Sequence, residues 1–233
     1  MHKNIYSIIS GSGSYLPSRQ IKNVDFLKNT FFESTGEVIN RPNEEIISKF
    51  QQITGIDERR YVEDQHVNSD IAFFAAEKAL ADSGINKEEL DYIIVAHNFG
   101  DVKAGSTRVD IVPALASRVK FKLGIANPFT VAYDLPFGCP GWLQAMIQAN
   151  YYITSGDAKH ILVIGSETLS RVSDPHDRDS MIYSDGAGAV VLSAFESETP
   201  VGILTHATRT DTLEQAFLLR MDKSYNPAEN DNL

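Results

Sequence analysis

Three unbroken apolar runs restrict this chain more than any other feature: Asp91-Tyr92-Ile93-Ile94-Val95-Ala96, His160-Ile161-Leu162-Val163-Ile164-Gly165 and Gly186-Ala187-Gly188-Ala189-Val190-Val191-Leu192. A half-exposed strand alternates apolar with polar residues, whereas these runs have no polar face and must be covered on both sides. Between them lie stretches of helical spacing. Asn68 and Ser69 open a long helix carrying Ile71, Ala72, Ala75, Ala76, Ala79 and Leu80, ended by Gly84. Arg108 to Leu123 contains a helix broken at its start by Pro113 and stopped at Gly124, and Leu143 to Ile153 reads as another. Strands alternating with helices predict an α/β sheet protein.

The remaining segments are read less firmly by periodicity and more by punctuation. Ile5 to Ser10 is a first strand, followed by Gly11-Ser12-Gly13-Ser14-Tyr15-Leu16-Pro17. Leu16 replaces the third glycine of a dinucleotide fingerprint and Pro17 blocks an immediate helix, so Gly11 and Gly13 are expected to serve a tight turn. Asn23 caps a helix through about Phe31 and Asn43 another from Glu44 to about Ile53, with a loop over Phe32 to Pro42. Thr54 to Val62 turns into a short extended segment, and Val201 to Thr208 is expected as the last strand. The polar stretch Thr210 to Leu233 reads as a mobile loop or a connection. The expected organisation is one domain over 1–209 and a connecting segment over 210–233.

The only cysteine, Cys139, lies in Tyr133-Asp134-Leu135-Pro136-Phe137-Gly138-Cys139-Pro140-Gly141-Trp142, between a predicted strand over Asn127 to Tyr133 and the helix after it. Pro140 suits the first helical position, where a missing N–H costs nothing, which makes Cys139 the expected cap. Helix-terminal N–H groups and the helix dipole favour a thiolate over a thiol there. A lone cysteine is commonly a small buried apolar residue. The strand-turn-helix setting points instead to a nucleophile.

With 233 residues, the chain can bury one good core. A formal charge of -10 argues against general affinity for nucleic acid or an anionic membrane. One cysteine excludes an internal disulfide and any multi-cysteine metal site, which fits a reducing cytoplasm. The apolar run Ile5 to Ile9 is too short for a signal-peptide core or a membrane span.

Taken in order, Gly11 to Pro17, Thr54-Gly55-Ile56-Asp57-Glu58-Arg59, Leu123-Gly124-Ile125, Gly138-Cys139-Pro140-Gly141, Gly165-Ser166-Glu167, Asp174-Pro175-His176-Asp177-Arg178 and Asp185-Gly186-Ala187-Gly188-Ala189 resemble the β-ketoacyl-acyl-carrier-protein synthase III family of the thiolase superfamily. The resemblance implies the N-terminal half of a thiolase-like fold, a mixed, mainly parallel sheet with helices on both faces. It implies that Cys139 takes an acyl group from an acyl-CoA or acyl-carrier-protein donor as a thioester. The cysteine then passes that group to the carbanion formed when malonyl-acyl-carrier protein loses CO2. No cofactor beyond CoA and carrier-protein thioesters as substrates is implied, and a homodimer is.

The resemblance also distributes roles. Arg178 matches an arginine that holds the nucleotide end of CoA. Val112 matches the position that reaches into the partner's acyl pocket, and Leu169 and Tyr183 are further pocket candidates. The tryptophan that sandwiches the adenine has no counterpart in Lys49-Phe50-Gln51-Gln52-Ile53; the only tryptophan, Trp142, stands beside the nucleophile as a substrate-binding candidate. Asp185 to Ala189 is a structural signature, its carboxylate expected to bond neighbouring backbone N–H groups.

The family's catalytic histidine and asparagine belong to the second half of the duplicated fold. Among the histidines here, His160, His176 and His206 match no catalytic motif, and His97, ending a strand, is read as structural. The chain is therefore expected to be a fragment, or to obtain the missing half from another polypeptide. The alternative is a non-catalytic thiolase-like partner subunit. A thioester hydrolase using the same cysteine would need a base for water, and the sequence offers none that is obvious.

Overall fold

The computed structural model describes residues 3–221 and 223–232, so Met1 and His2 of the expected domain and Asp222 and Leu233 of the expected connecting segment lie outside the described residues. In chain order the elements are β1 (Asn4–Tyr15), β2 (Arg19–Lys22), α1 (Asn43–Thr54), β3 (Glu58–Tyr61), α2 (Asn68–Ser83), β4 (Tyr92–His97), β5 (Asp101–Val102), β6 (Val109–Asp110), α3 (Leu115–Lys122), β7 (Val131–Pro136), α4 (Gly141–Ser155), β8 (His160–Glu167) and β9 (Gly186–Ser197). Five strands form the main sheet in the order β1-β9-β8-β4-β7. β8, β4 and β7 are parallel, and β9 runs antiparallel to both β8 and β1. Only β9 is reversed, so the sheet is mixed and mainly parallel.

The apolar runs are sandwiched as their composition requires. Ile93, Val95, Leu162, Ile164 and Val191 face α2 and α3, while Ile94, Ile161, Val163, Val190 and Leu192 face α4. Alternate residues of one strand thus enter two different cores. Each fully buried Ile, Leu or Val contributes roughly 1.5–3 kcal/mol relative to exposure. A third, smaller core joins Phe26, Phe31, Ile46, Ile47, Phe50 and Met181 beneath α1.

Several expected boundaries move. Gly11 and Gly13 do not turn the chain; β1 runs through them to Tyr15. A Cβ on Gly11 would stand 2.4 Å from the Ser83 amide nitrogen, and one on Gly13 2.4 Å from the Ala75 carbonyl oxygen. The glycines let the backbone of α2 lie directly on the strand. The helix expected from Asn23 through about Phe31 is a short 3-10 helix, Asn23–Lys28. The strand expected from Asn127 begins at Val131, because Asn127 to Thr130 forms a turn in which Asn127 Oδ1 accepts the Phe129 amide. The expected strand over Val201 to Thr208 is absent. That segment is coil, anchored by the Ile203 amide to the Ser7 carbonyl, and β1 already occupies the sheet edge beside β9.

Candidate functional site

Parallel strands gather their carboxyl ends at one side of a sheet, where ligands of α/β proteins are commonly held. His97 ends β4, Pro136 ends β7 and Glu167 ends β8. From Pro136 the chain makes a tight turn closed by the Gly141 amide donating to the Gly138 carbonyl at 2.9 Å, with Gly138 at φ +77°, a conformation that favours glycine. Cys139 occupies this turn and is exposed. Pro140, not Cys139, takes the cap position of α4, its carbonyl accepting the Gln144 amide. The turn hydrogen bond makes Gly141 the first helical residue, one position later than expected.

Cys139 opens onto a cavity of about 310 Å³ whose walls include His97, Asn98, Trp142, Glu167 and Leu169. Trp142, on the first turn of α4, lies against Gly165; a Cβ there would come within 3.0 Å of the Trp142 Cβ. Of the expected binding residues, the structure brings Trp142 and Leu169 to Cys139. Tyr183 is half-buried nearby. Its phenol is pushed up mainly by burial and then by the charges of Asp177 and Cys139, which puts the cysteine within its electrostatic reach. Arg178 and Val112 lie elsewhere. Val112 is 80% exposed and borders a cleft lined by Arg108, Pro113 and Phe121.

Arg178 borders a separate cavity of about 530 Å³, with Arg41 and Lys49 on its rim and Ile46, Phe50 and Met181 among its apolar lining. Its guanidinium is half-exposed, 3.4 Å from Glu33. Sequence reasoning had passed over Arg41 and Lys49 because their clustering arises only when α1 folds against the Asp177-Arg178-Asp179 loop.

Two carboxyls lie in or beside the Cys139 cavity, Glu167 in its wall and Asp134 next to His97. Burial pushes the Glu167 carboxyl up, against the Asn98 and Thr168 amides that bond it. Burial also works on Asp134, but the His97 ring and the amides of Ala116 and Leu115 outweigh it and hold that carboxyl below its usual range. His97 Nε2 lies 3.0 Å from Asp134 Oδ2, at ion-pair distance but outside hydrogen-bond alignment. Asp185 is the structural anchor expected, though with distant partners: it accepts the Val62 and Ser170 amides and the Ser170 hydroxyl.

The other histidines stand apart. His160 pairs with Ser193 Oγ, His206 packs edge-on against Tyr151, and His176 bridges the Thr30 carbonyl and Glu229. Asp174, His176 and Glu229 bring three donor atoms within 4.8 Å of one another, the one group with metal-ligand chemistry among the described residues. Their hydrogen bonds are spent on fastening the segment over 224–229 to the Asp174 loop.

The family described as 3-oxoacyl-[acyl-carrier-protein] synthase III matches residues 133–212. The β-ketoacyl-[acyl-carrier-protein] synthase III of Xanthomonas euvesicatoria pv. vesicatoria is 36% identical over 220 residues, 94% of this chain and 59% of that protein. A Vibrio cholerae protein, β-ketoacyl-[acyl-carrier-protein] synthase III 1, is 39% identical over 203 residues, 87% of this chain and 56% of its own length. Among solved structures, 3-oxoacyl-[acyl-carrier-protein] synthase III from Aquifex aeolicus superposes with a TM-score of 0.65 at 32% identity, covering 83% of this chain and 55% of that one. The chain therefore spans less than two thirds of the length of the relatives it matches.

Proposed function

The chain belongs to the 3-oxoacyl-[acyl-carrier-protein] synthase III family, and from that premise we propose that it carries the acyl-accepting half of a decarboxylative condensing enzyme of fatty-acid or related lipid and polyketide synthesis. Cys139 Sγ attacks the carbonyl of an acyl thioester, the bond to the donor's sulfur breaks, and the acyl group is left on the cysteine. Malonyl-acyl-carrier protein then loses CO2, and the resulting carbanion attacks the acyl carbonyl and releases Cys139. Thiolate is both nucleophile and leaving group, which suits a group that must be taken up and handed on. The observation that carries this reading is the exposed Cys139 on a glycine-proline turn at the carboxyl ends of β4, β7 and β8, facing a cavity.

Trp142 and Leu169 are the walls against which the acyl chain lies, with Tyr183 at its flank. Val112, exposed on its loop, is assigned to the partner's pocket in a homodimer. The donor we favour is acyl-CoA. Arg178, Arg41 and Lys49 above an apolar floor suit the phosphates and base of a nucleotide. CoA and carrier-protein thioesters complete the chemistry as substrates, and the cytoplasm supplies both. Among the described residues no helix is long and apolar enough to cross a membrane.

Intact-mass spectrometry after incubation with acyl-CoA and acyl-carrier-protein donors tests the reading, with Cys139→Ala as the blank. A gain of one acyl group, absent from the variant, is expected. Arg178→Ala is expected to slow acylation by acyl-CoA about tenfold while leaving a donor without the nucleotide unchanged. No acylation of folded protein by any donor counts for the non-catalytic subunit instead.

A further inference from the structure

The cavity that holds Arg178 carries its own opposition to a polyanion: Arg41, Lys49 and Arg178 are matched in its walls by Glu33, Glu45 and Asp179. Glu33 stands against the arginine itself. Its Oε1 accepts from Arg178 Nη1 at 3.4 Å, whereas Asp179, the next residue in the chain, is 4.0 Å from Nε. The Glu33 amide donates to the Glu37 carbonyl at 2.8 Å, and its carbonyl accepts the Gly36 amide at 2.9 Å. This turn is fastened to the loop that leads into Arg178. The Phe32 amide donates to the His176 carbonyl at 3.0 Å, and Asn29 Nδ2 to the Pro175 carbonyl at 3.1 Å. On its other side Pro227 closes on Gly36, where a Cβ would stand 2.8 Å from the Pro227 Cγ. The carboxylate is thus carried to the guanidinium by a clamped turn, and it leaves by rotating its side chain, not by moving the loop.

We propose that Glu33 is a specificity-determining residue of this cavity: it competes with a donor's phosphates for Arg178 and so sets how strongly a nucleotide-bearing thioester is held. The inference rests on the reading of this cavity as the nucleotide site. Arginine grips a phosphate best through two parallel N–H bonds, and a carboxylate already on the guanidinium takes up part of that fork. A half-exposed ion pair is weak by itself. A phosphate that takes Arg178 must nevertheless break the pair and then stand beside the carboxylate it has displaced, and like charges set side by side are costly. Glu33 therefore weakens CoA binding twice, through the same side chain.

The test is calorimetric titration with CoA, under reducing conditions, of the unaltered protein, Glu33→Gln, Arg178→Ala and the double variant. Both side chains are half-exposed, so neither substitution empties a core; circular dichroism checks the fold. Glu33→Gln is expected to bind CoA about three- to tenfold tighter, and Arg178→Ala about tenfold weaker. Adding Glu33→Gln to Arg178→Ala is expected to recover less than about twofold, because the arginine competed for is gone. An unchanged or weaker affinity in Glu33→Gln, with Arg178→Ala still weakened, overturns the proposal alone. An equal gain from Glu33→Gln in both backgrounds also overturns it, since the effect would then be general repulsion and not competition for Arg178. Affinity unchanged in Arg178→Ala, or no CoA binding by any of the folded proteins, overturns the nucleotide reading and the proposal with it.

Discussion

Glu63 shows how much a single side chain can organise at the edge of this fold. Its carboxylate accepts the Ser18 amide at 2.6 Å, the Ser18 hydroxyl and the Tyr15 hydroxyl at 3.1 Å, tying the end of β1 to the segment after β3. Burial pushes its carboxyl up, but the Ser18 and Tyr15 bonds outweigh it and lower it to about 2. A carboxyl held below its unfolded value stabilises the fold fully above the unfolded value and loses that contribution as pH falls toward the folded one. Glu63→Gln should therefore lower stability at pH 7 by about 1 kcal/mol, discounted for partial exposure. The deficit should shrink as pH falls from about 5 toward about 2. Urea midpoints of both proteins across that range check it, and a deficit that stays constant contradicts the charge argument. Asp185 has the opposite sign. Burial raises it despite its bonds to Ser170 and Val62, so its carboxylate works against stability as pH rises through its titration.

At the scale of elements, the contact between β1 and α2 is set by two missing side chains. A Cβ on Gly13 would meet the Ala75 carbonyl at 2.4 Å and the Ala79 amide at 2.5 Å, both helix backbone that cannot rotate aside. Gly13→Ala should cost about 2 kcal/mol or more, through overpacking. Gly188, on β9 beside Ser14, has nothing within 4 Å of the corresponding Cβ, and Gly188→Ala should stay within about 0.5 kcal/mol. Denaturation midpoints of the two variants provide the comparison; equal losses would rule out the close approach as the cause. The same glycines explain what the sequence concealed. Nothing within Gly11 to Pro17 announces a helix packed on it, so the residues read as turn punctuation. By contrast α2, β4 and β8 were legible because their periodicity or uniform apolarity is local. The Cys139 turn was legible to within one residue. The cavity beside Cys139 was not legible, since its walls come from α4, β8 and β9 and meet only when the sheet assembles.

At the scale of the whole molecule, β7 is an edge of the main sheet. β4 pairs with β7 on one side, and among the described residues no strand pairs with β7 on the other. Val131 on that strand is 47% exposed, and Phe129 just before it is 85% exposed. A parallel-sheet edge with apolar residues around it is a template for another strand unless it is blunted by charge, proline or a covering element. Here the blunting is weak, since the first half of β7, Val131-Ala132-Tyr133, carries no charge. Pairing of two copies through β7 would continue the sheet across a twofold axis and satisfy the edge N–H and C=O groups of both. The expected solution species is thus larger than the 25.8 kDa of one chain. Light scattering at several concentrations should give a mass near twice that value. Val131→Lys, which places a charge on the edge, should shift the population toward the single chain without lowering the denaturation midpoint of the monomer. A monomer at every concentration argues against the β7 edge as an interface, and it would also leave Val112 without the neighbouring pocket assigned to it.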